Sequence, residues 1–240
     1  MIVLAVDTCD ARGSVAVLRD GALAGQVSHD SSEDYSGWLI PACDRVLGPL
    51  ALSTSDVELF AVASGPGSFT GVRVGLTATK AWAEVYAKPV VPVSRLEAVA
   101  SQISLRDGFV AALIDAHRNQ IFGALYAVRG ERLERVGDEM VLPPADFLTW
   151  VSDQVGPRPV AWASPDMSIL RDMNVLEHSN GAAGSAQTVL PPFAEAIGRL
   201  GLKKFQSGEA VDALHLDANY VRRSDAELFW KGAARFTSNS

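Results

Sequence analysis

The sequence predicts an α/β fold that is built from two similar halves. Short apolar runs rich in β-branched residues alternate with longer stretches whose apolar residues have helical spacing. The run at residues 2–6 ends at Asp7, and the run at residues 109–114 ends at Asp115. Each run continues into a turn, a second strand and a hairpin turn, so the opening recurs 108 positions later (115 minus 7). A period of this length predicts a duplicated domain, unless two unrelated hairpins end in Asp by chance.

The first half is predicted to begin with a three-stranded meander and to continue as a βαβ unit. Asp and Gly residues at 10–13 and 20–21 favour reversals of the chain between the first strands. Pro41 is expected to destabilise the first predicted helix locally. Ser94 is expected to cap the last predicted helix of this half. The predicted strands are residues 2–6, 14–18, 22–27, 59–63 and 90–93, and the predicted helices are residues 33–47, 72–86 and 95–100.

The second half repeats this opening and then becomes richer in loops. Turns are predicted at residues 116–119 and 129–130. Residues 164–190 contain a run of Ser, Asn, Gly and Ala and are expected to be rich in loops, and the polar segment from Asn219 is expected to be a partly ordered tail. The predicted strands are residues 109–114, 121–128 and 159–163, and the predicted helices are residues 145–151 and 191–205.

A glycine-rich segment, Gly-Pro-Gly-Ser-Phe-Thr-Gly at residues 65–71, lies between a predicted strand and a predicted helix. Such a turn points backbone N–H groups and the positive helix end at one place, so it can bind an anion. It lacks the Lys of a Walker A loop and the glycine spacing of a dinucleotide loop. A tight turn with a Ser or Thr cap explains the pattern equally well. The candidate anion or nucleotide residues are Asp7, Gly65, Gly67, Ser68, Thr70, Gly71 and Arg73.

Asp7, at the end of the first strand, is a candidate carboxylate for a Mg²⁺ or phosphate site. Because no second carboxylate stands beside it, a solvated residue that caps the hairpin turn is the favoured interpretation, and Asp115 is interpreted in the same way. The four histidines form no H-x-x-x-H pair, so the sequence predicts no metal site. It contains no nucleophile elbow and no Cys–His spacing typical of covalent catalysis, so it predicts no catalytic residue.

The composition limits the partners and the location of the protein. Lys and Arg total 21 and Asp and Glu total 28, which gives a net charge of −7. Affinity for nucleic acids comes largely from neutralising phosphates, so any contact with a nucleic acid is expected to be local or made by a partner. Cys9 and Cys43 form no disulfide framework, and the apolar N-terminus lacks the basic residues of a signal peptide. With no membrane-spanning stretch in the sequence, the cytoplasm is the expected location.

Four segments give the sequence a resemblance to a known family. They are LAVDTCDARGSVAVLRDG from residue 4, AVASGPGSFTGVRVGL from residue 61, ALIDAHRNQIFGALY from residue 112 and NYVRRSDAE from residue 219. In this order and at these distances they resemble the TsaB (YeaZ) family, and the GPGSFTGVRVG stretch is highly specific to that family and its relatives. The resemblance covers residues 1–130 well, residues 131–215 loosely and a short motif near residues 219–223.

The resemblance implies the actin-like ATPase (ASKHA) fold, with two RNase H-like lobes of which the second is reduced. It implies an N-terminal lobe at residues 1–100 with partner-binding helices, a C-terminal lobe at residues 101–218 and a tail at residues 219–240. The catalytic relative TsaD has an HxxxH metal pair and phosphate loops in both lobes, and this sequence has neither the pair nor a second Gly-rich loop. Tyr35 stands where many members have His, and Cys9 where Ser, Thr or Ala is usual.

The resemblance implies a non-catalytic subunit that binds and activates TsaD, which transfers a threonylcarbamoyl group to the adenosine beside the tRNA anticodon. A TsaE-like ATPase joins the pair, tRNA is reached only through the complex, and the isolated chain can form a homodimer. The complex uses ATP and Mg²⁺, but no cofactor is expected on this chain. The implied partner-interface residues lie on two helices of the first lobe: Trp38, Leu39, Ala42, Cys43, Val46, Val74, Ala78, Ala81 and Trp82.

Two alternatives accompany this hypothesis. The same apolar stripes are expected on any helix that packs on its own sheet, so the interface rests on the resemblance. A different function would be that of a small actin-like kinase or ATPase that uses Asp7 and the 65–71 loop, which predicts Mg-nucleotide turnover by the isolated protein. A protease would need a nucleophile or a metal site, and the sequence contains neither.

Overall fold

The computed structural model describes residues 1–29, 33–173, 185–219 and 221. The strands are β1 Ile2–Asp7, β2 Ser14–Arg19, β3 Ala22–Ser28, β4 Leu59–Ala63, β5 Val90–Val93, β6 Asp107–Asp115, β7 Ile121–Arg129, β8 Arg132–Leu142, β9 Val160–Ser164 and β10 Ser185–Thr188. The α-helices are α1 Tyr35–Leu47, α2 Phe69–Tyr86, α3 Arg95–Ala100, α4 Pro144–Val155, α5 Met167–Asp172 and α6 Ala194–Gln206.

The two halves contain the same five-stranded sheet. The order is β3-β2-β1-β4-β5 in the first half and β8-β7-β6-β9-β10 in the second. In each sheet a three-stranded antiparallel meander is extended by two strands that run parallel to its first strand. The predicted duplication is confirmed, because two unrelated hairpins would have no reason to share the order of the added parallel strands.

The third helix of each half packs on the sheet of the other half. Helix α3 lies against β6 and β7, and α6 lies against β1, β2 and β4. Glycines let α6 approach closely, since a Cβ on Gly201 would lie 2.5 Å from the Cβ of Ala61. Although α6 falls within the predicted range 101–218, it therefore covers the first sheet. The largest buried cluster contains side chains from both halves, such as Val3 and Val110.

Several elements differ from the sequence-based expectation. Helix α2 begins at Phe69 rather than at residue 72, because Ser68 caps it by accepting a bond from the Gly71 N–H. The described part of the expected loop-rich region 164–190 contains α5 and β10, and residues 174–184 lie outside the described residues. The second half keeps a full sheet, and its reduction lies in α5, which has 6 residues where α2 has 18. Strand β8 was not predicted, because its sequence is mostly polar and resembles a loop.

The end of the chain is described as far as Asn219, with Val221 beyond it. The predicted tail at residues 219–240 otherwise lies outside the described residues. Within the described ranges, no helix is both long and apolar enough to cross a membrane.

Candidate functional site

The turn between β1 and β2 is ordered by the side chains that begin it. Asp7 Oδ1 accepts a hydrogen bond of 2.9 Å from the N–H of Cys9, and Asp10 Oδ1 accepts one of 2.7 Å from the N–H of Arg12. The Thr8 hydroxyl donates to the Gly71 carbonyl at 2.7 Å, which joins this turn to the glycine-rich loop after β4. The end of β1 and the start of α2 therefore form one packed unit.

A buried arginine neutralises the carboxylates of the turn. The side chain of Arg95 is 0% exposed; its Nε lies 3.3 Å from Asp7 Oδ2, and its Nη2 donates to Asp10 Oδ2. Burial opposes the charge of Arg95, but the Asp7 and Asp10 carboxylates outweigh it and raise the pKa of the guanidinium. Burial also acts to raise the pKa of Asp10, yet Arg95 outweighs that effect and holds this pKa below its usual range.

Asp7 caps its turn, as one interpretation of the sequence predicted, but it is not solvated. Its side chain is fully buried, and it lies against the Arg95 side chain of α3. Asp7 Oδ2, the carboxylate oxygen that does not cap the turn, faces Arg95. A metal ion would therefore have to displace the guanidinium to reach this oxygen. Asp115 is about half exposed and caps the β6–β7 turn through the N–H of His117, as predicted for it.

Arg95 was not among the predicted site residues. The sequence carries a signal for it, since this cation directly follows an apolar strand and the Ser94 cap, and it begins a short helix that is otherwise mostly apolar. A charge in such a position is buried unless its helix lies at the surface, and a buried cation needs an anion. The sequence thus indicates a buried cation at this place, but it does not identify Asp7 as its partner.

The glycines of the 65–71 loop allow it to pack tightly on the β1–β2 turn. A Cβ on Gly67 would lie 2.3 Å from the carbonyl oxygen of Cys9, and one on Gly71 would lie 2.0 Å from that of Thr8. Gly65 has a φ of +109°, which favours glycine. Close backbone approach to the turn thus explains Gly67 and Gly71, and the positive φ explains Gly65.

The polar groups of the loop are mostly used within the protein. The Ser68 N–H donates to the Cys9 carbonyl at 2.6 Å, and the Ser68 hydroxyl accepts a bond of 3.3 Å from the Gly71 N–H. These contacts are those of the tight, capped turn that was one of the two interpretations. Thr70 is exposed, and the Arg73 guanidinium lies 3.8 Å from the centre of the Phe69 ring. Anion binding by this loop stays a prediction.

A cleft of about 990 Å³ lies between the two halves. The 66–73 segment and the β1–β2 turn line it on one side, and the β6–β7 turn and the β9–α5 connection line it on the other. Its lining includes His117 and charged side chains of both signs, namely Asp10, Arg12, Arg73, Arg95, Asp115, Arg118 and Asp166.

The second half presents a strained turn and a carboxylate to this cleft. His117, Arg118 and Asn119 have consecutive positive φ values of 59°, 55° and 57°, a conformation that costs a non-glycine residue about 1–3 kcal/mol. Asp166 caps α5, since its Oδ1 accepts a bond of 2.8 Å from the Ser168 N–H. A carboxylate therefore stands where the first half has its glycine-rich loop, and it disfavours a phosphate there.

The nine predicted interface residues fall into two groups. The five on α1, namely Trp38, Leu39, Ala42, Cys43 and Val46, are at most 4% exposed and belong to the chain's own core. They stabilise the fold of the single chain, and their role in a contact surface stays a prediction. On α2, Val74, Ala78 and Trp82 are partly buried and Ala81 is exposed, so this group still has surface to offer.

Neither the cysteines nor any cluster of described side chains indicates a nucleophile or a metal site. Cys9 and Cys43 are free and buried, and burial raises the pKa of both thiols, that of Cys43 to about 12. Such thiols are poor nucleophiles at neutral pH. Among the residues that the structure describes, no three His, Cys, Asp or Glu side chains lie close enough together to hold a metal ion.

Asn219 connects the end of the chain to both halves beside the cleft. Its N–H donates to the Ser64 carbonyl at 2.8 Å, and its side-chain amide donates to Glu139 Oε2 at 2.6 Å. Ser64 follows β4 of the first half, and Glu139 lies on β8 of the second. The first residue of the NYVRR motif thus ties the two lobes together at the edge of the cleft.

The chain is similar to proteins of one pathway. The family profile described as "TsaD: tRNA N6-adenosine threonylcarbamoyltransferase" matches residues 22–168. The tRNA threonylcarbamoyladenosine biosynthesis protein TsaB of Bacillus subtilis is 30% identical over 232 residues, which cover 96% of this chain and 98% of that protein. The structure of YeaZ from Pseudomonas aeruginosa matches with a TM-score of 0.76 and 25% identity, over 91% of this chain and 99% of the other.

A more distant similarity concerns the fold alone. A ROK family protein from Streptococcus pneumoniae matches with a TM-score of 0.53 and 13% identity, over 87% of this chain and 100% of the other. The actin-like ATPase fold implied by the sequence is thereby confirmed, as are its two matching sheets. Family profile, full-length relative and solved structure agree: the chain belongs to the TsaB (YeaZ) family, whose role is in the biosynthesis of threonylcarbamoyladenosine in tRNA.

Proposed function

We propose that this chain is a non-catalytic subunit that binds and activates a TsaD-like transferase. The proposal that the subunit is non-catalytic rests on the buried ion pair between Arg95 and Asp7. The candidate carboxylate for a Mg-nucleotide is already neutralised by a side chain that belongs to the fold. Removing that guanidinium would leave two partly or fully buried carboxylates without a counter-ion, which is strongly unfavourable.

Further contacts support this role against a kinase or ATPase. The N–H groups of Ser68 and Gly71 have partners within the protein, and Asp166 places a negative charge at the equivalent loop of the second half. On one side of the cleft two N–H groups of the loop are therefore already used within the protein, and on the other side a nucleotide would meet a carboxylate. The arrangement favours a scaffold over an enzyme.

The exposed side of α2 supports binding of a partner. One face of this helix carries small buried residues, among them Gly75 and Thr79, and packs on the sheet. A second apolar stripe at helical spacing remains partly or fully exposed and comprises Val74, Ala78, Ala81, Trp82 and Val85. Val85 is 74% exposed, and Ile40 on the neighbouring α1 is 58% exposed. A surface helix normally has one apolar stripe, so the second is available to a partner.

The complex would contain further components. We expect a TsaE-like ATPase to join the pair and to use the ATP and Mg²⁺, while this chain holds no cofactor. In the absence of TsaD, the same α2 stripe can pair with a second copy of the chain as a homodimer. The cytoplasm, where tRNA is modified, is the expected site of action.

A reconstituted threonylcarbamoylation assay tests the proposal. We expect modification of tRNA by TsaD, TsaE and the adenylate-forming enzyme to require this chain, while the chain alone modifies nothing and turns over no ATP. The double variant Ala81→Glu/Val85→Glu should weaken binding of TsaD more than tenfold, because both charges would be buried on association. Its melting temperature should match that of the unmodified chain, since both side chains are exposed.

The control is Leu190→Glu, which adds a charge at another exposed apolar residue, one that lies outside α1 and α2. It should leave both binding and modification unchanged. Modification that proceeds equally well without this chain would contradict the proposed function. If modification needs the chain but the double variant binds TsaD normally, activation stands and the interface has been assigned to the wrong face.

A further inference from the structure

Three arginines are exposed at the end of the second sheet that lies opposite the cleft. Arg106 precedes β6, while Arg129 and Arg132 flank the turn between β7 and β8. Strand β6 runs from this end towards Asp115, which lines the cleft. Among the described residues, none of the three guanidinium groups takes part in an ion pair. We call these residues, together with Lys203 of α6, the basal patch.

Backbone contacts hold the basal patch together. The Gly130 N–H donates to the Arg106 carbonyl at 2.7 Å, which places Arg106 beside the hairpin tip. Arg129 and Arg132 are directly opposite each other in the β7–β8 register. Lys203 Nζ donates to the Glu131 carbonyl at 2.6 Å, so α6 adds its cation to the same tip. Four cations from three separate segments therefore meet on one surface.

The charge of this surface is opposite to that of the chain. Asp107 and Glu131 are the acidic neighbours within the patch, so its net charge is about +2, while the whole chain carries −7. Like charges directly opposite each other in a hairpin are unfavourable for folding. Asp107 is directly opposite Arg129 on the other neighbouring strand and offsets this repulsion in part, and an external anion would offset the rest.

A groove of about 390 Å³ continues the surface beyond Lys203. Ser101 and Gln102 line it and bring neutral hydrogen-bonding groups. Arg199 lies at its edge and is held by Glu195 and by the Gly21 carbonyl. Hydroxyl and amide groups next to arginines are the usual partners of phosphate and ribose oxygens.

We propose that the basal patch binds the phosphate backbone of tRNA directly. The charge is complementary, the arginine fork matches phosphate geometry, and tRNA is the substrate of the family's pathway. The earlier expectation that tRNA is reached only through the complex is then too narrow. The proposal rests on the family's pathway and does not depend on the proposed activation of TsaD.

Fluorescence anisotropy with labelled tRNA and the full-length chain tests the proposal. We expect binding at 50 mM salt that weakens steeply at 200 mM, as phosphate contacts require. Arg106→Gln/Arg129→Gln/Arg132→Gln should weaken binding at least tenfold and make the salt dependence shallower by about two to three phosphate contacts. All three side chains are exposed, so the melting temperature of this variant should be unchanged.

The matched control is Arg45→Gln/Lys80→Gln/Arg171→Gln, which removes the same charge from exposed residues elsewhere. It should keep nearly all of the affinity. An equal loss of tRNA affinity in both triple variants, or no binding of tRNA at 50 mM salt, would overturn the proposal. So would displacement of tRNA by polyglutamate at a lower concentration than by unlabelled tRNA, which would indicate an acidic protein partner. Affinity for TsaD, measured on the same preparations, should be unaffected by either variant, so this result stays separate from the proposed function.

Discussion

Arg95 connects three parts of the first half at the residue scale. Its side chain binds Asp7 and Asp10 of the β1–β2 turn, and its N–H donates to the Gly65 carbonyl at 2.7 Å. A buried charge of this kind contributes through its partners, because each member becomes costly once the other is removed. The same contacts that stabilise the turn thus occupy both oxygens of the Asp7 carboxylate.

Replacing Arg95 with Met is expected to lower the free energy of unfolding by about 3–5 kcal/mol, because two carboxylates lose their cation. Adding Asp7→Asn and Asp10→Asn to that variant should restore part of the loss. Urea denaturation followed by circular dichroism measures both. Arg199→Met is the control, since its ion pair with Glu195 is more than half exposed on the Arg199 side and should contribute only about 0–1 kcal/mol.

A second prediction at the residue scale concerns the glycines of the 65–71 loop. Gly71→Ala should destabilise the chain by more than about 2 kcal/mol, because the new Cβ would meet the Thr8 carbonyl at 2.0 Å and the backbone would have to move. Gly48→Ala is the matched control, since a Cβ there meets nothing within 4 Å. It should be neutral or slightly stabilising. Thermal unfolding of both variants gives the comparison, and equal melting temperatures would contradict it.

The lowered pKa of Asp10 predicts how the stability of the chain depends on pH in acid. Its pKa is lower in the folded chain than the ordinary value, so the unfolded chain binds more protons in the window between the two pKa values. The charged Asp10 carboxylate stabilises the fold fully above about pH 4, which is near the ordinary pKa of Asp. This stabilisation is lost as the pH falls through the pKa of Asp10 in the folded chain. Asp10→Asn should therefore flatten the fall of the urea midpoint below about pH 4. A slope as steep as that of the unmodified chain would argue against this linkage.

Helices α1 and α2 differ at the element scale in what their apolar stripes do. Every apolar residue predicted as interface on α1 is buried on the chain's own sheet, while α2 has one stripe on the sheet and another towards solvent. The small residues Gly71, Gly75 and Ala83 let α2 lie close to the sheet, and the larger side chains then remain at the side. The element that can offer a partner surface is therefore α2, with Ile40 of α1 beside it.

Leu39→Ala is expected to act on stability rather than on partner binding. Leu39 is 1% exposed, and truncating a buried Leu costs about 2–5 kcal/mol. The folded fraction of this variant should still bind TsaD with the normal affinity, in contrast to Ala81→Glu/Val85→Glu. Calorimetric titration at a temperature where the variant is folded makes the distinction. Loss of affinity in fully folded Leu39→Ala would place α1 back in the interface.

At the scale of the whole molecule, the exchanged helices join the two lobes. Since α3 covers the second sheet and α6 the first, neither half buries its apolar surface without the other. Asn219 adds a polar connection by binding Ser64 and Glu139. The cleft is therefore held at its edge as well as through the core.

Gly201→Val should lower the melting temperature of the whole chain, because the larger side chain would press α6 away from Ala61 and from the first sheet. The unfolding transition should remain single, with the near-ultraviolet signal of Trp162 in the second half changing together with that of the first half. Two separated transitions would show that the lobes unfold independently despite the exchange.

Local patterns in the sequence were enough to predict most of the elements and to indicate the family. Strands β4 and β5 and helix α3 were predicted to the residue, and the duplicated strand–Asp openings are confirmed, because apolar runs, caps and turns are local properties of the chain. The glycine-rich segment identified the family because its spacing serves a close approach that few other residues allow.

Which side chains are buried, and which charges lie together, follows from long-range packing. Asp7 and Arg95 are 88 positions apart (95 minus 7), and no local pattern links them. The α1 stripe and the α2 stripe look alike in the sequence, and only packing shows that one faces the core and the other is partly open. The basal patch is likewise assembled from segments around residues 106, 130 and 203, because long-range strand pairing and helix exchange bring them together.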